Sequence, residues 1–573
     1  MVRSTITLKR GLYGGRDGRR YIIFIAICVT YVTIYIKLFG YYRQSSNHIH
    51  QLTRENTFIQ SKYFPTENLF PDEYFGTTHI HSESYEPKGP DRYSEWKDGN
   101  SPYNVTTFQQ MKSDNLARSR REHVREAMKF AWDNYKKYAY GADELKPVSG
   151  EKGECWGGIS VTLVDSLDTL ILMGMDEEFR EARDWIAKNL DFDKDYVVSV
   201  FETTIRSLGG LLSAYDWSKD VIFLEKAKDI GNRLSKAFDE TSTGGFPLGR
   251  INLKTGKTEY AKWLGNGMTL AGSGTLTLEF RDLSKHSGDY TYAKKSQHIF
   301  EVLKDLQPES GLFPKLLRKN LNTNTVKLSG HDISFGSMGD SFYEYELKIW
   351  LQGMKTESMY RDMYDKSIQG LHDEKLKTSS NNLTYIFLDQ RINEMDHLSC
   401  FMGGLLALGA FTDPKGFSSE RAQRDLKTAK ALAYTCYQMY ATMETGLSPE
   451  VVRFPQGKNG IKKLQPKSIR ESYYILRPET IETFFILHRI TGDPIYREWG
   501  WEIFQNIEKY SKTNYGYGSV QNVQDKKSII NDKMESFFLG ETLKYFYLLF
   551  DPESKLDFNK YVFNTEAHPL RIE

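Results

Sequence analysis

Residues 473–493 read YYILRPETIETFFILHRITGD, and this stretch joins the start of a helix to an aromatic interior. Pro478 precedes two acids, Glu479 and Glu482, and a largely apolar run follows them. Proline and acids in a first turn are typical of any helix, because the helix dipole favours negative charge there. A helix that is apolar on nearly every side belongs in a protein interior. The stretch therefore predicts a buried helix that begins with two carboxylates.

The same arrangement recurs along the chain. Six further segments are apolar nearly all round and contain small residues: 164–175, 201–215, 269–280, 340–351, 397–411 and 535–550. Seven charged segments with a single apolar stripe alternate with them: 122–139, 176–190, 223–238, 292–306, 360–373, 422–440 and 495–510. This alternation predicts an all-α fold, an (α/α)7 barrel of seven helical hairpins with the apolar set inside. An open helical solenoid is the alternative, but its repeats are shorter and more regular.

Most of the predicted inner helices begin with acids. These are Asp165, Glu202, Asp340 with Glu344, Asp396, Glu479 with Glu482, and Glu535 with Glu541 slightly further along. If the inner helices run in one direction, the acids meet at one end of the barrel. Clustered carboxylates repel one another, so such a ring needs cations, shared protons or a metal. A pair of carboxyl groups can hydrolyse a glycosidic bond, and a hard cation such as Ca²⁺ prefers oxygen ligands.

Other chemistries have little support in the sequence. Lys and Arg number 76 against 75 Asp and Glu, so no basic excess points to a nucleic-acid partner. No HExxH or CxxC zinc motif occurs, and His is scarce at 12 residues. The glycine-rich run 265–275 lacks the lysine of a phosphate-binding loop, and we expect it to serve close helix packing. The aromatic share of 14% suits sugar rings as well as cores.

The N-terminal region predicts a membrane anchor. Six basic residues in the first 20 precede a stretch from Tyr21 to Ile36 without any charge. By the positive-inside rule we expect residues 1–20 to form a cytoplasmic tail and residues 21–42 a single-pass type II transmembrane anchor. The polar residues 43–117 would form a lumenal stem and residues 118–573 the catalytic barrel domain. A cleaved signal peptide is the alternative, but no small-residue cleavage site follows the apolar stretch.

Sequons and cysteines are compatible with a lumenal chain. N-glycosylation triplets begin at Asn104 and Asn382. Of the four cysteines, Cys28 lies in the predicted anchor, which leaves Cys155, Cys400 and Cys436. In an oxidising compartment one pair of these is expected to bridge, and a bond between Cys400 and Cys436 would join neighbouring helices. The residues alone leave the pairing open.

Six motifs in order carry a resemblance to a known family. They are FETTIRSLGGLLSAY (201–215), GDSFYEY (339–345), DHLSCF (396–401), LRPETIETFF (476–485), ESFFLGETLKY (535–545) and FNTEAHPL (563–570). Over about residues 118–573 the chain resembles the class I α1,2-mannosidases, the inverting Ca²⁺-dependent glycoside hydrolases of family 47. The resemblance implies a barrel plugged by the C-terminal segment. It also implies hydrolysis of terminal α1,2-linked mannose in high-mannose N-glycans, in the endoplasmic reticulum or the Golgi.

The resemblance assigns catalytic and metal-binding roles. Glu202 matches the general acid, which acts through a water, Asp340 the second catalytic acid and Glu479 the general base. Which of the first two donates the proton stays open. Thr565 matches the one residue that binds Ca²⁺ directly, through its carbonyl and hydroxyl oxygens. The carboxylates that match holders of the metal's waters are Glu479, Glu482, Glu541 and Glu566.

The resemblance also implies a sugar pocket and a disulfide. Residues that match the pocket are Arg206, His397, Arg477 and Phe537, with Glu482, Glu541, Asp165 and Glu344 beside them. The family's shared disulfide matches Cys400 and Cys436. Met338 and Gly272 depart from the pattern. Members that remove one mannose have Arg at the position of Met338, and because a thioether cannot make that residue's bidentate hydrogen bonds, we predict broader trimming.

Two other functions fit part of the pattern. A lectin-like relative could use the same pocket to mark misfolded glycoproteins for degradation, but such relatives lack the cysteine pair and often carry additional domains. A different α/α-barrel glycosidase acting on polysaccharide would typically have six hairpins and no C-terminal threonine plug.

Overall fold

The computed structural model describes residues 99, 105–238, 243–320, 322, 325–389, 391–455, 463–554 and 556–572. The chain divides into residues 1–75 and 76–573, and everything described belongs to the second unit. The predicted tail, the predicted anchor, most of the predicted stem and Asn104 lie outside the described residues. Within the described ranges, no helix combines the length and the apolarity that a membrane crossing requires.

Helices make up most of the described chain. In chain order they are α1 (Thr107–Ala139), α2 (Val161–Asp165), α3 (Leu167–Leu172), α4 (Asp176–Asn189), α5 (Val200–Thr203), α6 (Gly209–Ser218), α7 (Val221–Leu234), α8 (Leu270–Gly274), α9 (Thr277–Ser287), α10 (Thr291–Leu306), α11 (Asp340–Gln352), α12 (Ser358–Gly370), α13 (Phe401–Phe411), α14 (Glu420–Ala441), α15 (Glu479–Thr491), α16 (Ile495–Tyr510) and α17 (Leu543–Leu549). Wider π-helical turns occupy Thr204–Leu208, Leu371–Lys375 and Phe538–Thr542.

The helices form an inner and an outer layer. The outer layer contains α1, α4, α7, α10, α12, α14 and α16, and between them the inner layer contains α2–α3, α5–α6, α8–α9, α11, α13, α15 and α17. Each inner segment contacts the next one, and α17 contacts α3, so the ring is closed. Burial follows the predicted pattern: α13 buries every residue from Phe401 to Ala410, whereas α4 buries only Ala182 and Ile186.

The all-α prediction did not include a set of short antiparallel sheets. They are β1 (Glu144–Leu145) with β2 (Lys152–Gly153); β3 (Val197–Ser199), β4 (Arg250–Asn252) and β5 (Thr258–Glu259); β6 (Gly267–Thr269), β7 (Leu316–Asn320) and β8 (Thr325–Ser329); β9 (Leu376–Thr378) with β10 (Thr384–Ile386); β11 (Glu394–Asp396), β12 (Val451–Arg453) and β13 (Gln465–Pro466); β14 (Ser519–Val520) with β15 (Ile530–Asn531); and β16 (Tyr561–Phe563) with β17 (Pro569–Arg571).

Three of these strands run directly into inner segments. The last residues of β3, β6 and β11 are Ser199, Thr269 and Asp396, and each side chain accepts a backbone N–H of the first helical turn that follows. Such capping satisfies donors that a helix start otherwise leaves unpaired. The strands therefore set where the inner segments begin, and with that the positions of the acids in their first turns.

The hairpin of β16 and β17 lies inside the ring. Asn564 donates to the carbonyl oxygen of Ile205 at 2.9 Å, and Ser213 donates to that of Pro569 at 3.1 Å. Close approach depends on Gly209 of α6, because a Cβ there would lie 2.6 Å from Asn564 Nδ2 and 3.1 Å from a ring carbon of His568. The neighbouring Gly210 allows α6 to approach α2, since a Cβ there would lie 2.8 Å from the carbonyl oxygen of Val164. The C-terminal segment thus fills one end of the ring, as a plug does.

The structure also bears on the predicted cysteine pair, on the sequon at Asn382 and on the start of the barrel domain. A disulfide joins Cys400 to Cys436 with a Cα–Cα distance of 5.9 Å, which confirms that pair, and Cys155 is free. Asn382 is exposed in the turn between β9 and β10. The first helix begins inside the stretch predicted as stem, since Thr106 and Gln109 form a reciprocal capping box ahead of α1.

Candidate active site

A cavity of about 560 Å³ lies where the inner segments begin. Its wall includes these predicted site residues: Glu202, Arg206, Met338, Asp340, Glu344, Arg477, Glu479, Glu482, Phe537, Glu541, Thr565 and Glu566. Glu202, Asp340 and Glu479 all lie in the first turns of their helices, as the sequence predicted. Asp165 and His397 do not line the cavity; both are buried behind its wall.

Arg206 connects three carboxylates across one side of the cavity. Its Nε donates to Glu202 at 3.0 Å, its Nη1 pairs with Glu566, and the same nitrogen lies 3.7 Å from Asp165. Burial alone would lower the pKa of this guanidinium, but the surrounding carboxylates, Glu566 first, raise it above its ordinary value. The face of the guanidinium packs 5.5 Å from the ring centre of Phe537. Arg206 is therefore a fixed positive charge that orients Glu202.

Asp340 is a cavity acid whose pKa is shifted toward neutrality. Burial raises its pKa to about 7, with further contributions from the charges of Asp396, Glu344 and Glu479. The backbone N–H of Ser341 donates to Asp340 Oδ1 at 2.8 Å and opposes the shift. At neutral pH this carboxyl group is therefore close to half protonated.

Glu479 is held in the opposite protonation state. Burial would raise its pKa, but His397 and Arg477 outweigh burial and lower it. Glu479 Oε2 lies 3.1 Å from His397 Nδ1, outside hydrogen-bond geometry, and Glu479 Oε1 lies 3.6 Å from Arg477 Nη1. On the other side of the ring, His397 Nε2 lies 2.9 Å from the hydroxyl oxygen of Tyr440 and 3.1 Å from that of Thr480. Glu479 is thus ionised and aimed into the cavity by groups behind it.

Four more acids complete the floor. Burial raises the pKa of Glu482 to about 8, although Lys348 Nζ lies 3.8 Å away and pairs more closely with Glu344. Burial raises the pKa of Glu541 and of Glu566; the charge of Arg206 opposes the shift, and neighbouring carboxylates add to it. Seven carboxyl groups and only three guanidinium groups, those of Arg206, Arg250 and Arg477, line the wall. The floor therefore carries an excess of buried acid.

The turn that holds Thr565 is organised by its neighbour Asn564. Asn564 Oδ1 accepts the backbone N–H groups of Glu566 and His568 at 3.0 and 2.8 Å. Asn564 Nδ2 also donates to Glu279 Oε1 at 2.7 Å, while Ala567 adopts a left-handed φ of 58°. This fully buried amide presents Thr565 to the cavity floor.

A charged network supports the floor from below. His568 contacts Asp168 Oδ2 through Nδ1 at 2.8 Å and Asp165 Oδ1 through Nε2 at 3.0 Å. Lys544 Nζ lies 2.7 Å from the other oxygen of Asp168. Although burial opposes it, this pairing lowers the pKa of Asp165 and brings that of Asp168 to about 2. Asp165 thus supports Arg206 rather than reaching the cavity.

Comparison with known proteins places this geometry in a family. The model of glycosyl hydrolase family 47 matches residues 127–572. The chain belongs to this family. It is 45% identical over 480 residues to mannosyl-oligosaccharide 1,2-alpha-mannosidase MNS1 of Arabidopsis thaliana, covering 83% of this chain and 82% of that one.

Further relatives agree with the assignment to family 47. The endoplasmic reticulum mannosyl-oligosaccharide 1,2-alpha-mannosidase of Homo sapiens is 42% identical over 465 residues, which cover 79% of this chain and 64% of that protein. The solved structure of an alpha-1,2-mannosidase from Trichoderma reesei superposes with a TM-score of 0.72 at 28% identity, covering 79% of this chain and 99% of that one.

Sequence reasoning missed several residues that shape this family 47 site. Glu450 holds Arg477 through two hydrogen bonds of 2.7 and 2.6 Å, and Lys348 is buried beside Glu344. Lys348 could have been noticed as the one lysine in the inner segment DSFYEYELKIWL, which also contains three acids. Asn564 stands next to Thr565 inside a motif already singled out. Glu450 has no signal of its own, because it meets Arg477 only through the fold.

Proposed function

We propose that the protein is an inverting, Ca²⁺-dependent α1,2-mannosidase that removes terminal mannose from high-mannose N-glycans of glycoproteins. The observation that carries this proposal is the division of protonation states within one cavity: Glu479 has a lowered pKa, and Asp340 has a pKa of about 7. Inverting hydrolysis needs one ionised carboxylate to activate water and one protonated carboxyl group to assist the leaving oxygen. Environments that separate the pKa values of two acids commonly mark such a pair.

Glu479, Asp340 and Glu202 then each have a role in one step of the reaction. Ionised Glu479 accepts a proton from the water that attacks the anomeric carbon, on the face opposite the leaving sugar. Protonated Asp340 supplies the proton that the departing glycosidic oxygen requires. Glu202, fixed by Arg206, lies on the same wall and positions the water through which that proton passes. Arg206 and Phe537 supply a charged and an aromatic surface for the sugar ring.

The floor of the cavity fits a calcium ion. Its donor atoms are all oxygens, which a hard cation prefers, and its carboxylates outnumber its cations. Thr565 would hold the ion directly, and Glu479, Glu482, Glu541 and Glu566 would do so through water. No trio of these carboxylates within the described ranges brings its oxygens within 4.8 Å of one another, which favours the indirect mode. When bound, Ca²⁺ would offset the buried acid and engage sugar hydroxyls.

We further propose a lumenal location with residues 21–42 as a type II anchor. The cysteine pair requires an oxidising compartment, and the exposed turn at Asn382 presents a sequon to solvent. The human relative named above is an endoplasmic reticulum protein by name. These observations support a location in the endoplasmic reticulum or the Golgi. The balanced charge of the chain gives no reason to propose a nucleic-acid partner.

The proposal is tested by incubating the purified protein with a high-mannose N-glycan, with and without a chelator, and following the products by NMR. We expect free mannose in the β-configuration, loss of activity with the chelator and recovery with added Ca²⁺. Release of α-mannose would rule out inversion, and glycan binding without any release would favour the lectin-like alternative.

The same experiment tests Met338, which lines the cavity with a left-handed φ of 72°. We expect removal of several mannoses, and a reaction that stops after one would contradict the prediction of broader trimming.

A further inference from the structure

Asp216, Asp282 and His286 form a cluster at the end of the ring opposite the cavity. Asp216 lies in the last turn of α6, and Asp282 and His286 lie in the last turns of α9, whereas the acids of the cavity lie in first turns. His286 Nε2 lies 3.0 Å from Asp216 Oδ1 and 3.5 Å from Asp282 Oδ2. Within the described part of the chain, this trio alone brings side-chain ligand atoms within 4.8 Å of one another.

The cluster contains polar atoms that the protein leaves without hydrogen bonds. Asp282 is 1% exposed, and neither of its carboxylate oxygens has a hydrogen-bond partner; the same holds for His286 Nε2. A buried carboxylate without a partner is costly and requires compensation by a charge. Asp282 Oδ2 and His286 Nε2 face each other at 3.5 Å, and a cation bound to both atoms would supply that charge.

One oxygen of Asp216 is tied to the backbone, and the other contacts side chains that a ligand would displace or share. Its Oδ2 accepts the backbone N–H of Arg571 at 2.9 Å, which ties α6 to β17. Its Oδ1 faces His286 and also Lys219 Nζ, 3.1 Å away. The Lys219 side chain is 52% exposed, so its ammonium group can turn into solvent when a cation binds Asp216.

We propose that Asp216 Oδ1, Asp282 Oδ2 and His286 Nε2 bind one divalent transition-metal ion of the Zn²⁺ type. Zinc bonds to carboxylate and imidazole are about 2.0–2.2 Å long, which places tetrahedral ligand atoms about 3.3–3.6 Å apart. The 3.5 Å between His286 Nε2 and Asp282 Oδ2 lies in this range, and the 3.0 Å to Asp216 Oδ1 is a few tenths of an ångström shorter. One imidazole with two carboxylates suits Zn²⁺ and its neighbours in the transition series, whereas Ca²⁺ takes oxygen ligands. The site is thus chemically distinct from the cavity floor.

The competing arrangement is a buried ion pair with a proton on His286. Burial lowers the pKa of His286, but the carboxylates of Asp216 and Asp282 outweigh it and raise the pKa to about 9. A metal ion would replace that proton and neutralise both carboxylates. No zinc motif is visible in the order of residues because the ligands come from two segments. Asp282 and His286 are four residues apart on one helix face, and Asp216 belongs to another helix.

The test uses the full-length protein, stripped with a chelator and then saturated with Ca²⁺ to fill any oxygen-only site. Zn²⁺ binding is measured by calorimetry, and Co²⁺ binding by visible absorption, which reports nitrogen coordination. We expect one equivalent of either ion per chain and a higher Tm with Zn²⁺. His286→Gln and Asp282→Asn should each weaken Zn²⁺ binding at least tenfold and abolish the Tm rise.

His298→Gln is the matched control. His298 is on the neighbouring helix α10 and has a single carboxylate nearby, that of Glu301 at 3.7 Å, so its loss should leave Zn²⁺ binding unchanged. The inference is overturned if the wild-type protein binds no stoichiometric Co²⁺ with a nitrogen ligand, or if Asp282→Asn binds Zn²⁺ like the wild type. If His286→Gln does not fold, Asp282→Asn and the wild-type Co²⁺ spectrum decide.

Discussion

Replacing Asn564 with alanine should destabilise the protein and impair catalysis together. The side chain is fully buried and makes four hydrogen bonds: to the carbonyl oxygen of Ile205, to Glu279, and from the backbone N–H groups of Glu566 and His568. Alanine leaves two buried N–H groups and one carbonyl without a partner, at about 1–3 kcal/mol each. Because neighbours relax in part, we expect a total loss of about 3–5 kcal/mol.

That loss corresponds to a fall in Tm of about 3–5 °C for a domain of this size, measured by differential scanning calorimetry. Displacement of the Thr565 turn should also lower kcat/KM by about 10²-fold, because small misplacements in a catalytic site have effects of this order. The matched control is Asn559→Ala, since the Asn559 amide bonds only to Asp557 in an exposed turn. If the two variants have the same Tm and the same kcat/KM, Asn564 does not organise the floor.

Three further predictions concern the cavity. Glu479→Gln and Asp340→Asn should each lower kcat by about 10²-fold or more with an unchanged circular dichroism spectrum, and near-normal turnover would remove the residue from the mechanism. Since the pKa of Asp340 is raised to about 7, its proton is present below that pH and lost above it, so kcat/KM should decline as pH rises through about 7; a rate that still climbs above pH 8 would contradict this role. Trp263 lines the cavity mouth and is 70% exposed, so Trp263→Ala should raise KM for a high-mannose glycan about 2- to 10-fold, as loss of ring stacking implies. KM for α1,2-mannobiose should not change, and an equal rise for both substrates would place Trp263 nearer the reacting sugar.

The helical pattern was predictable because it depends on the distribution of apolar residues within each segment. Segments that are apolar all round became inner helices and segments with one stripe became outer ones, as α13 and α4 show. The strands were not predictable in this way. β3 and β6 are three residues long and are defined by pairing with strands far along the chain, so no run of alternating residues signals them.

Placement within the site also depended on contacts between distant segments. The sequence put Asp165 at the start of an inner helix and grouped it with the pocket acids, but His568 and Arg206 hold it behind the wall. Glu450 was missed for the same reason, since it acts on Arg477, which only the fold brings near. Lys348 pairs with Glu344 one turn away on its own helix, and only its contact with Glu482 depends on the closed ring. The order of residues does not indicate contacts between such distant positions.

From the residues themselves came the alternation of helices and the acids at their starts, since periodicity is a property of the chain. The order of the motifs supplied the family resemblance, which implied the pairing of Cys400 with Cys436. The tertiary structure alone decided which acids are ionised, because a pKa depends on burial and on charges from other segments. It also decided the π-helical turns at Thr204–Leu208 and Phe538–Thr542, which aim Arg206 and Glu541 into the cavity. An extra residue in a helical turn is stabilised by packing around it, and packing exists only once the ring has closed.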